Sequence, residues 1–153
     1  MNNKFSYHPA LPEDCVSVPA HSSFGSHIGY THYVHQNEKQ DGIYYLGLEL
    51  CDKHGGAPGR GHGGVTMTML DEVMGRAASR SLGKMCFTAS MTTNFCAGTK
   101  IGNSLLASAT VSRSGKNLVF VDAQLHAGEQ LIATATGTWM NSGLDIPETG
   151  TEL

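Results

Sequence analysis

Basic clusters, long apolar runs and closely spaced cysteine pairs are all missing from this sequence of 153 residues. Lysine and arginine total 10 against 13 acidic residues, and no stretch gathers them into a patch for nucleic acid phosphates. No segment is apolar and long enough to cross a bilayer, and the N-terminus lacks the basic start and apolar run of a secretory signal. We therefore expect a soluble cytoplasmic protein that binds neither nucleic acid nor membrane.

Signals for a disulfide or a metal site are weak. The sequence contains four cysteines without a C-x-x-C pair, namely Cys15, Cys51, Cys86 and Cys96. The last three lie in apolar strand-like runs, which favours buried free thiols. His54 and His62 come nearest to a metal-binding pair, but no cysteine or third ligand accompanies them. We expect no metal.

Alternating apolar residues predict strands along most of the chain, and one long run has helical periodicity instead. In that run Leu70, Val73 and Ala77 recur at a spacing near 3.6 residues, which predicts a helix over 63–82. Strands are predicted over 28–36, 43–51, 85–97, 104–113, 117–127 and 130–141. The order is two strands, the helix, then a four-stranded meander. It favours an α+β fold in which a curved antiparallel sheet of about six strands wraps around one long central helix.

The length and the apolar fraction of 40% fit one domain, which we place over 28–141. Three prolines before it predict an irregular N-terminal lead-in over 1–27, with at most a short helical turn near Pro12. The polar residues 142–153 predict a loose C-terminal tail. Bare edges of the sheet would invite pairing with a second copy, so we expect at least a dimer.

The most informative stretch is a glycine-rich turn that runs into the predicted helix at residue 63. Its small residues leave backbone N–H groups bare at a helix start, where the helix dipole attracts negative charge. Asp71 follows on a helix that we expect to be mostly enclosed, and a buried carboxylate needs a reason. Its neighbour Glu72 is interpreted as the solvent-facing residue of the two. The turn and Asp71 together form a candidate site for chemistry.

The turn and the aspartate also match the motif of a known family, a G-x-x-H-G-G turn followed by an acidic residue nine positions after the histidine. The matching residues are Gly59, His62, Gly63, Gly64 and Asp71. Here the sequence resembles the hot-dog-fold acyl-CoA thioesterases, in particular the PaaI-like branch of the phenylacetate pathway. The similarity extends over about residues 28–141 and includes the stretches 88–95, 112–116 and 131–138.

The resemblance implies a role for each residue of the site. Asp71 would be the catalytic base or nucleophile, and the N–H of Gly63 would polarise the thioester carbonyl. A hydroxyl on the third strand of the partner subunit, Thr88 by position, would help to position water. The family often has Asn or Gln six residues before the histidine, where this chain has Gly56. A nearby group such as His54 could take its place.

Four further residues are candidate substrate contacts. His62 most simply hydrogen-bonds its own turn, with a substrate contact as the second interpretation, and Gly64 follows it at the helix start. Arg113 and Lys116 flank a hairpin and could pair with the phosphates of coenzyme A, or could simply be solvated. The resemblance thus implies hydrolysis of an acyl- or aryl-CoA by a homodimer or a dimer-of-dimers tetramer. Coenzyme A would be part of the substrate, and no cofactor is expected.

Two other functions fit the same residues. A dehydratase on this fold would need a histidine paired with the helix acid, and no clear partner histidine is seen. A non-catalytic domain that binds or senses acyl-CoA is favoured by the glycine at position 56 and disfavoured by the presence of Asp71. The pattern does not indicate which acyl chain is bound.

Overall fold

The computed structural model describes residues 11–20, 22–36 and 42–146, and its elements are as follows. The strands are β1 (Cys15–Pro19), β2 (Thr31–His35), β3 (Ile43–Glu49), β4 (Cys86–Phe95), β5 (Ser104–Ser114), β6 (Leu118–Ala127) and β7 (Gln130–Asn141). The helices are α1 (Ser23–Ile28) and α2 (Gly63–Leu82), with a short 3₁₀ turn at Asp52–His54. No helix within these described ranges is both long enough and apolar enough to span a membrane.

The strands form one curved antiparallel sheet in the order β1-β2-β3-β5-β6-β7-β4, and α2 lies against it. The helix contacts five neighbouring strands of the sheet, namely β3, β5, β6, β7 and β4. Its residues Leu70, Val73 and Met74 are fully buried and pack against Leu46 of β3 and Trp139 of β7. The expected α+β architecture is confirmed, with seven strands where about six were expected.

Helix α2 begins and ends at the predicted residues because each end has a local signal. At the start, the side chain of His62 accepts a hydrogen bond from the Gly64 N–H and caps the helix. At the end, Gly83 adopts a left-handed backbone conformation with φ 71°, which a glycine reaches without strain. Between them, Gly75 lies so near Trp139 that an added Cβ would come within 3.3 Å of the indole nitrogen. The slim helix thus allows close wrapping by the sheet.

The expectation of an irregular lead-in over 1–27 is wrong for its described part. Strand β1 pairs with β2 from Cys15 to Pro19, and α1 follows it, capped by the Ser22 side chain. Pro19 ends this strand and Pro12 accepts a hydrogen bond from the Cys15 N–H in the turn before it, so neither proline prevents the strand. The stability of β1 comes from pairing with a strand further along the chain. As a consequence, the predicted strand at 28–36 begins only at Thr31, because Ile28 still belongs to α1.

The predicted four-stranded meander is also wrong in one respect. Only β5, β6 and β7 follow one another in the sheet, whereas β4 lies at the far edge and pairs with β7. After β4 the chain returns to the middle of the sheet, where β5 pairs with β3. The pairing of β4 with β7 shifts register between Thr88 and Ser90, so that Ala89 is an extra residue in a β-bulge.

The cysteines differ in part from expectation. All four are free thiols, but Cys51 and Cys96 are exposed, because the first begins a surface turn and the second follows the end of β4. The turn expected after residue 36 and the tail expected after residue 141 lie partly outside the described residues, which omit 37–41 and 147–153.

Candidate active site

A cavity of about 270 Å³ lies beside the middle and the C-terminal half of α2. It is bounded by this helix, by β2 and the segment before it, by β4 and by β7. Its lining residues are Ser22, Tyr30, His32, Asp71, Glu72, Gly75, Arg76, Ser79, Met85, Cys86, Phe87, Thr88 and Trp139. The helix contributes two adjacent rows, because residues four apart on an α-helix point the same way. The cavity therefore gathers charged groups from α2 among side chains from both ends of the sheet.

Asp71 and Thr88 of the same chain meet at this cavity. The Thr88 hydroxyl donates to Oδ1 of Asp71 across 2.6 Å. The bulge directly after Thr88 changes the direction in which β4 presents its side chains, and bulges commonly adjust a side chain in this way beside active sites. Asp71 itself is only half-buried and can be reached from the cavity. A carboxylate held by one hydroxyl and open to a cavity is able to accept a proton from water or to attack a carbonyl.

Glu72 is not the solvent-facing residue that the sequence suggested. It is half-buried, lines the same cavity and lies beside Tyr30, whose hydroxyl lies 3.5 Å from that of Ser22. Burial is the main cause that raises the pKa of Glu72, and the neighbouring charge of Asp71 raises it further. Burial also raises the pKa of Tyr30. The site therefore contains two adjacent carboxyl groups in different environments.

The glycine turn lies away from this cavity, at the N-terminus of α2. His62 and Gly63 are exposed there, and Nδ1 of His62 accepts from the Gly64 N–H at 2.9 Å. The cap occupies the N–H of Gly64, whereas the N–H of Gly63 takes no part in it. Gly63 and Asp71 are eight residues apart, which corresponds to about 12 Å along the helix axis. The described chain thus has the two predicted catalytic elements, but at separate places.

Comparison with known proteins identifies the family. A family description of the thioesterase superfamily matches residues 59–134, from the glycine turn into β7. A protein of Pseudomonas aeruginosa PAO1 with the provisional name esterase PA0474 is 31% identical over 96 residues, which cover 61% of this chain and 72% of that protein. The chain belongs to the thioesterase superfamily.

Solved structures agree with this assignment of the thioesterase. The PaaI protein of the Escherichia coli phenylacetic acid degradation operon shares the fold, with a TM-score of 0.73 at 18% identity over 82% of this chain and 88% of that one. The Streptococcus mutans protein smu.793, solved with acetyl CoA bound, is 27% identical, with a TM-score of 0.64 over 70% and 86% of the two chains. The hot-dog fold and the resemblance drawn from the sequence are confirmed.

The thioesterase uses His54 differently from the sequence-based hypothesis. This side chain is only 3% exposed, its Nε2 donates to the Ile28 carbonyl at 2.7 Å, and its Nδ1 accepts from the Cys51 N–H at 3.0 Å. Both nitrogens are occupied, one by the end of α1 and one by the loop itself, so His54 does not replace the missing amide at Gly56. An added Cβ at Gly56 would come within 3.0 Å of the His62 backbone, so close packing explains the glycine.

The other predicted contacts have mixed outcomes. The interpretation of His62 as a residue that hydrogen-bonds its own turn is confirmed. Thr88 bonds Asp71 of its own chain, and its role in the site of a partner subunit stays a prediction. Arg113 and Lys116 are exposed near the turn between β5 and β6 and do not line the cavity, so their contact with coenzyme A stays a prediction.

One group of side chains in the described ranges has the composition of a metal site. Asp14, Cys15 and His35 place one potential ligand atom each within 4.8 Å of the others, at the β1–β2 edge. There Nδ1 of His35 pairs with the Asp14 carboxylate at 3.0 Å. This ion pair accounts for the cluster without a metal.

The sequence did not reveal that Arg76 and Glu72 both line the cavity. Both lie on α2 one turn apart, and each faces groups that the sheet brings from distant parts of the chain. The spacing of four residues from Glu72 was the available signal for Arg76, together with the presence of an arginine among so many small apolar residues.

Proposed function

We propose that this thioesterase hydrolyses an acyl-CoA to the free acid and coenzyme A, with Asp71 acting on water at the mouth of the cavity. The observation that carries the proposal is the 2.6 Å hydrogen bond from Thr88 to Asp71. With Oδ1 held by the hydroxyl, Oδ2 is the oxygen that takes a proton from water as the water attacks the thioester carbon. The thiolate of coenzyme A then leaves, and no cofactor takes part. A cytoplasmic location is part of this proposal.

The carbonyl oxygen would accept from a helix N-terminus, where Gly63 offers its N–H. Donors placed at an oxygen that gains negative charge are often the largest single contribution to catalysis. Within one chain this N–H lies about 12 Å along the axis from Asp71, too far to act on the same thioester group. We therefore propose that Gly63 of a second copy completes each site.

Strand β4 supports the pairing of two copies. It is an edge strand of ten residues with exposed Phe87 and Phe95, which are 51% and 53% accessible. Long exposed edges with apolar side chains are prone to pair with another chain. The homodimer would then be the catalytic unit, and a dimer of dimers is the expected larger assembly.

Thiol release from a panel of acyl-CoAs tests the hydrolysis. Wild-type protein should release coenzyme A, and Asp71→Asn should lower kcat by about 10²–10⁴-fold while acyl-CoA binding persists. Full kcat in Asp71→Asn would contradict the assignment. Binding without any thiol release by the wild type would favour the non-catalytic acyl-CoA domain.

Isotope labelling separates the two uses of a carboxylate. In a single turnover in H₂¹⁸O, a general base sends the label into the released acid and leaves Asp71 unlabelled. Label in the Asp71 side chain would instead indicate a mixed anhydride between enzyme and acyl group, and would contradict the general-base step.

Mixing two inactive variants tests whether a site spans two chains. Gly63→Pro removes the N–H, and Asp71→Asn removes the base, so a heterodimer of the two keeps one intact site. An equal mixture that exchanges subunits should regain about a quarter of wild-type activity, because half of the dimers are mixed and each has one working site. No recovery in a mixture shown to exchange subunits would place both groups in one chain.

A further inference from the structure

Arg76 is a buried cation in the wall of the cavity. Only 5% of the residue is exposed, and it lies on α2 five positions after Asp71. Its Nε and Nη1 atoms are enclosed, and neither has a hydrogen-bond partner among the residues that the structure describes. Buried guanidinium groups are normally paired, because an unpaired buried charge is costly. Arg76 therefore lacks the partner that its surroundings require.

The acidic residue nearest along the helix does not supply this partner. Glu72 lies one turn before Arg76, where an ion pair could form, but it lies beside Tyr30 and is not a hydrogen-bond partner of Nε or Nη1 of Arg76. Burial, followed by the positive charge of Arg80, lowers the pKa of Arg76 to about 10, so the side chain is still charged at neutral pH. A positive charge thus lines the cavity without a pairing carboxylate from the described chain.

The cavity runs from the catalytic carboxylate towards this charge. Asp71, Gly75 and Ser79 form one row along the helix, spaced by four residues, and the row leads away from the glycine turn. Gly75 has no side chain, and the Trp139 indole packs against it, so glycine and indole together form the wall in the middle of the row. An acyl group whose carbonyl lies beside Asp71 would extend along this row and end near Arg76.

We propose that the enzyme prefers acyl thioesters whose acyl chain ends in a carboxylate, and that Arg76 binds that carboxylate. This inference rests on the proposed hydrolysis, because it assigns the far end of the same substrate. A guanidinium suits the task, since its planar donors match the two oxygens of a carboxylate. The charge of Asp71 at the near end disfavours a second carboxylate beside the thioester and so favours one at the far end.

The helix sets the length of the acyl chain. Five residues correspond to about 7.5 Å along the axis. An extended chain advances about 1.2 Å per bond, because three backbone bonds span about 3.6 Å. The spacing equals about six bonds, and the reach of the arginine side chain shortens this. Succinyl, glutaryl and adipyl groups bracket the expected length.

Paired substrates of equal carbon number provide the test. The pairs are succinyl-CoA with butyryl-CoA, glutaryl-CoA with valeryl-CoA, and adipyl-CoA with hexanoyl-CoA. Wild type should have the higher kcat/KM for the carboxylate of at least one pair. In Arg76→Met that preference should fall by about 10- to 100-fold, the usual range for a hydrogen bond to a charged group. Arg80→Met, one turn further along and outside the cavity lining, should keep it.

Three results would contradict the inference. Equal or better hydrolysis of the methyl-ended chains by wild type would exclude it while leaving the thioesterase assignment intact. An unchanged preference in Arg76→Met would place the selectivity elsewhere. If no pair releases thiol, the proposed hydrolysis fails, and calorimetric binding of adipyl-CoA and hexanoyl-CoA to the wild type and Arg76→Met still measures the selectivity. Equal binding of the two by the wild type would then refute it.

Thermal unfolding separates a binding role from a structural one. Removal of an unpaired buried charge should leave the melting temperature of Arg76→Met unchanged or higher, because the variant no longer buries that charge. A lower melting temperature together with a loss of dimer would indicate a carboxylate from a second copy as the partner, and would overturn the inference. Arg76→Lys keeps the positive charge but lacks the planar pair of guanidinium donors, so it should retain part of the preference for a carboxylate. This variant also allows the test if Arg76→Met folds poorly.

Discussion

The start and the middle of helix α2 offer different chemical groups, backbone at the start and side chains in the middle. At the start, the exposed Gly63 presents its backbone N–H beside the His62 cap, with almost no side chain involved. In the middle, the side chains of Asp71, Glu72 and Arg76 line a cavity that the sheet closes. In the proposed function, the start would polarise the carbonyl of any thioester. Only the middle would contact the part that distinguishes one acyl group from another.

Gly63→Pro should give the largest effect on the start of the helix. Loss of the N–H should lower kcat by about 10²–10³-fold. The helix should persist, because proline is favoured at a first helical position and His62 already has the extended backbone that precedes a proline, with φ −71° and ψ 135°. Steady-state kinetics and far-ultraviolet circular dichroism measure both.

The matched control is Gly63→Ala, which keeps the N–H and should keep most of kcat. An added Cβ there would meet the Phe95 ring at 3.5 Å, an ordinary contact distance. Equal losses in the two variants would show that the glycine matters for space and not for its donor.

Thr88→Val should give the next largest effect, in the middle of the helix. The variant keeps the shape and removes the hydrogen bond to Asp71, so kcat should fall by about 10- to 100-fold. Thr88→Ser keeps the hydroxyl and should stay close to wild type. If the valine variant retains full kcat, the hydroxyl does not orient the carboxylate.

Glu72→Gln should change how stability depends on pH. The folded state raises the pKa of Glu72 above that of the unfolded chain, mainly through burial, so wild type loses stability as the pH rises through the raised value. Glutamine does not titrate, and the melting temperature of the variant relative to wild type should therefore be higher at pH 8 than at pH 4. A difference that is constant across this range would mean that Glu72 has an ordinary pKa.

His62→Ala should have the smallest effect and should act on stability. Removal of the cap should lower the free energy of unfolding by about 1 kcal/mol, measured by urea denaturation. His62→Asn retains a capping side chain and should lose less. A loss of acyl-CoA binding in both variants, without a change in stability, would favour the alternative that His62 contacts substrate.

The difference between the start and the middle of α2 also determines which features could be predicted from the sequence. The bounds of α2 follow from a cap and a terminal glycine within a few residues of its ends, and those of β7 follow from alternation and tight turns. Strand β1 was missed because its stability comes from pairing with β2 and not from its own residues. The glycine turn and Asp71 form a linear motif, so the family could be predicted from the sequence.

The cavity, in contrast, depends on contacts between distant segments. The sequence predicts that Glu72 faces solvent, because Tyr30, which lies beside it in the fold, is more than 40 positions earlier in the chain. Arg76 does not stand out in the sequence, because the missing partners of its Nε and Nη1 are visible only when its neighbours are known. The burial of a side chain and the identity of its partners depend on the whole fold, so they cannot be predicted from the order of residues along one helix.

Gly75 gives this cavity an evolutionary consequence. It stands halfway between Asp71 and Ser79, and a single methyl group there would approach Trp139 to 3.3 Å. Mutation of glycine to alanine needs one nucleotide change and touches neither the base nor the carbonyl donor. A lineage could therefore move from longer to shorter acyl groups in one step, with its catalytic machinery unaltered. We expect members of this family that differ at this position to differ in the acyl groups that they accept while they share one mechanism.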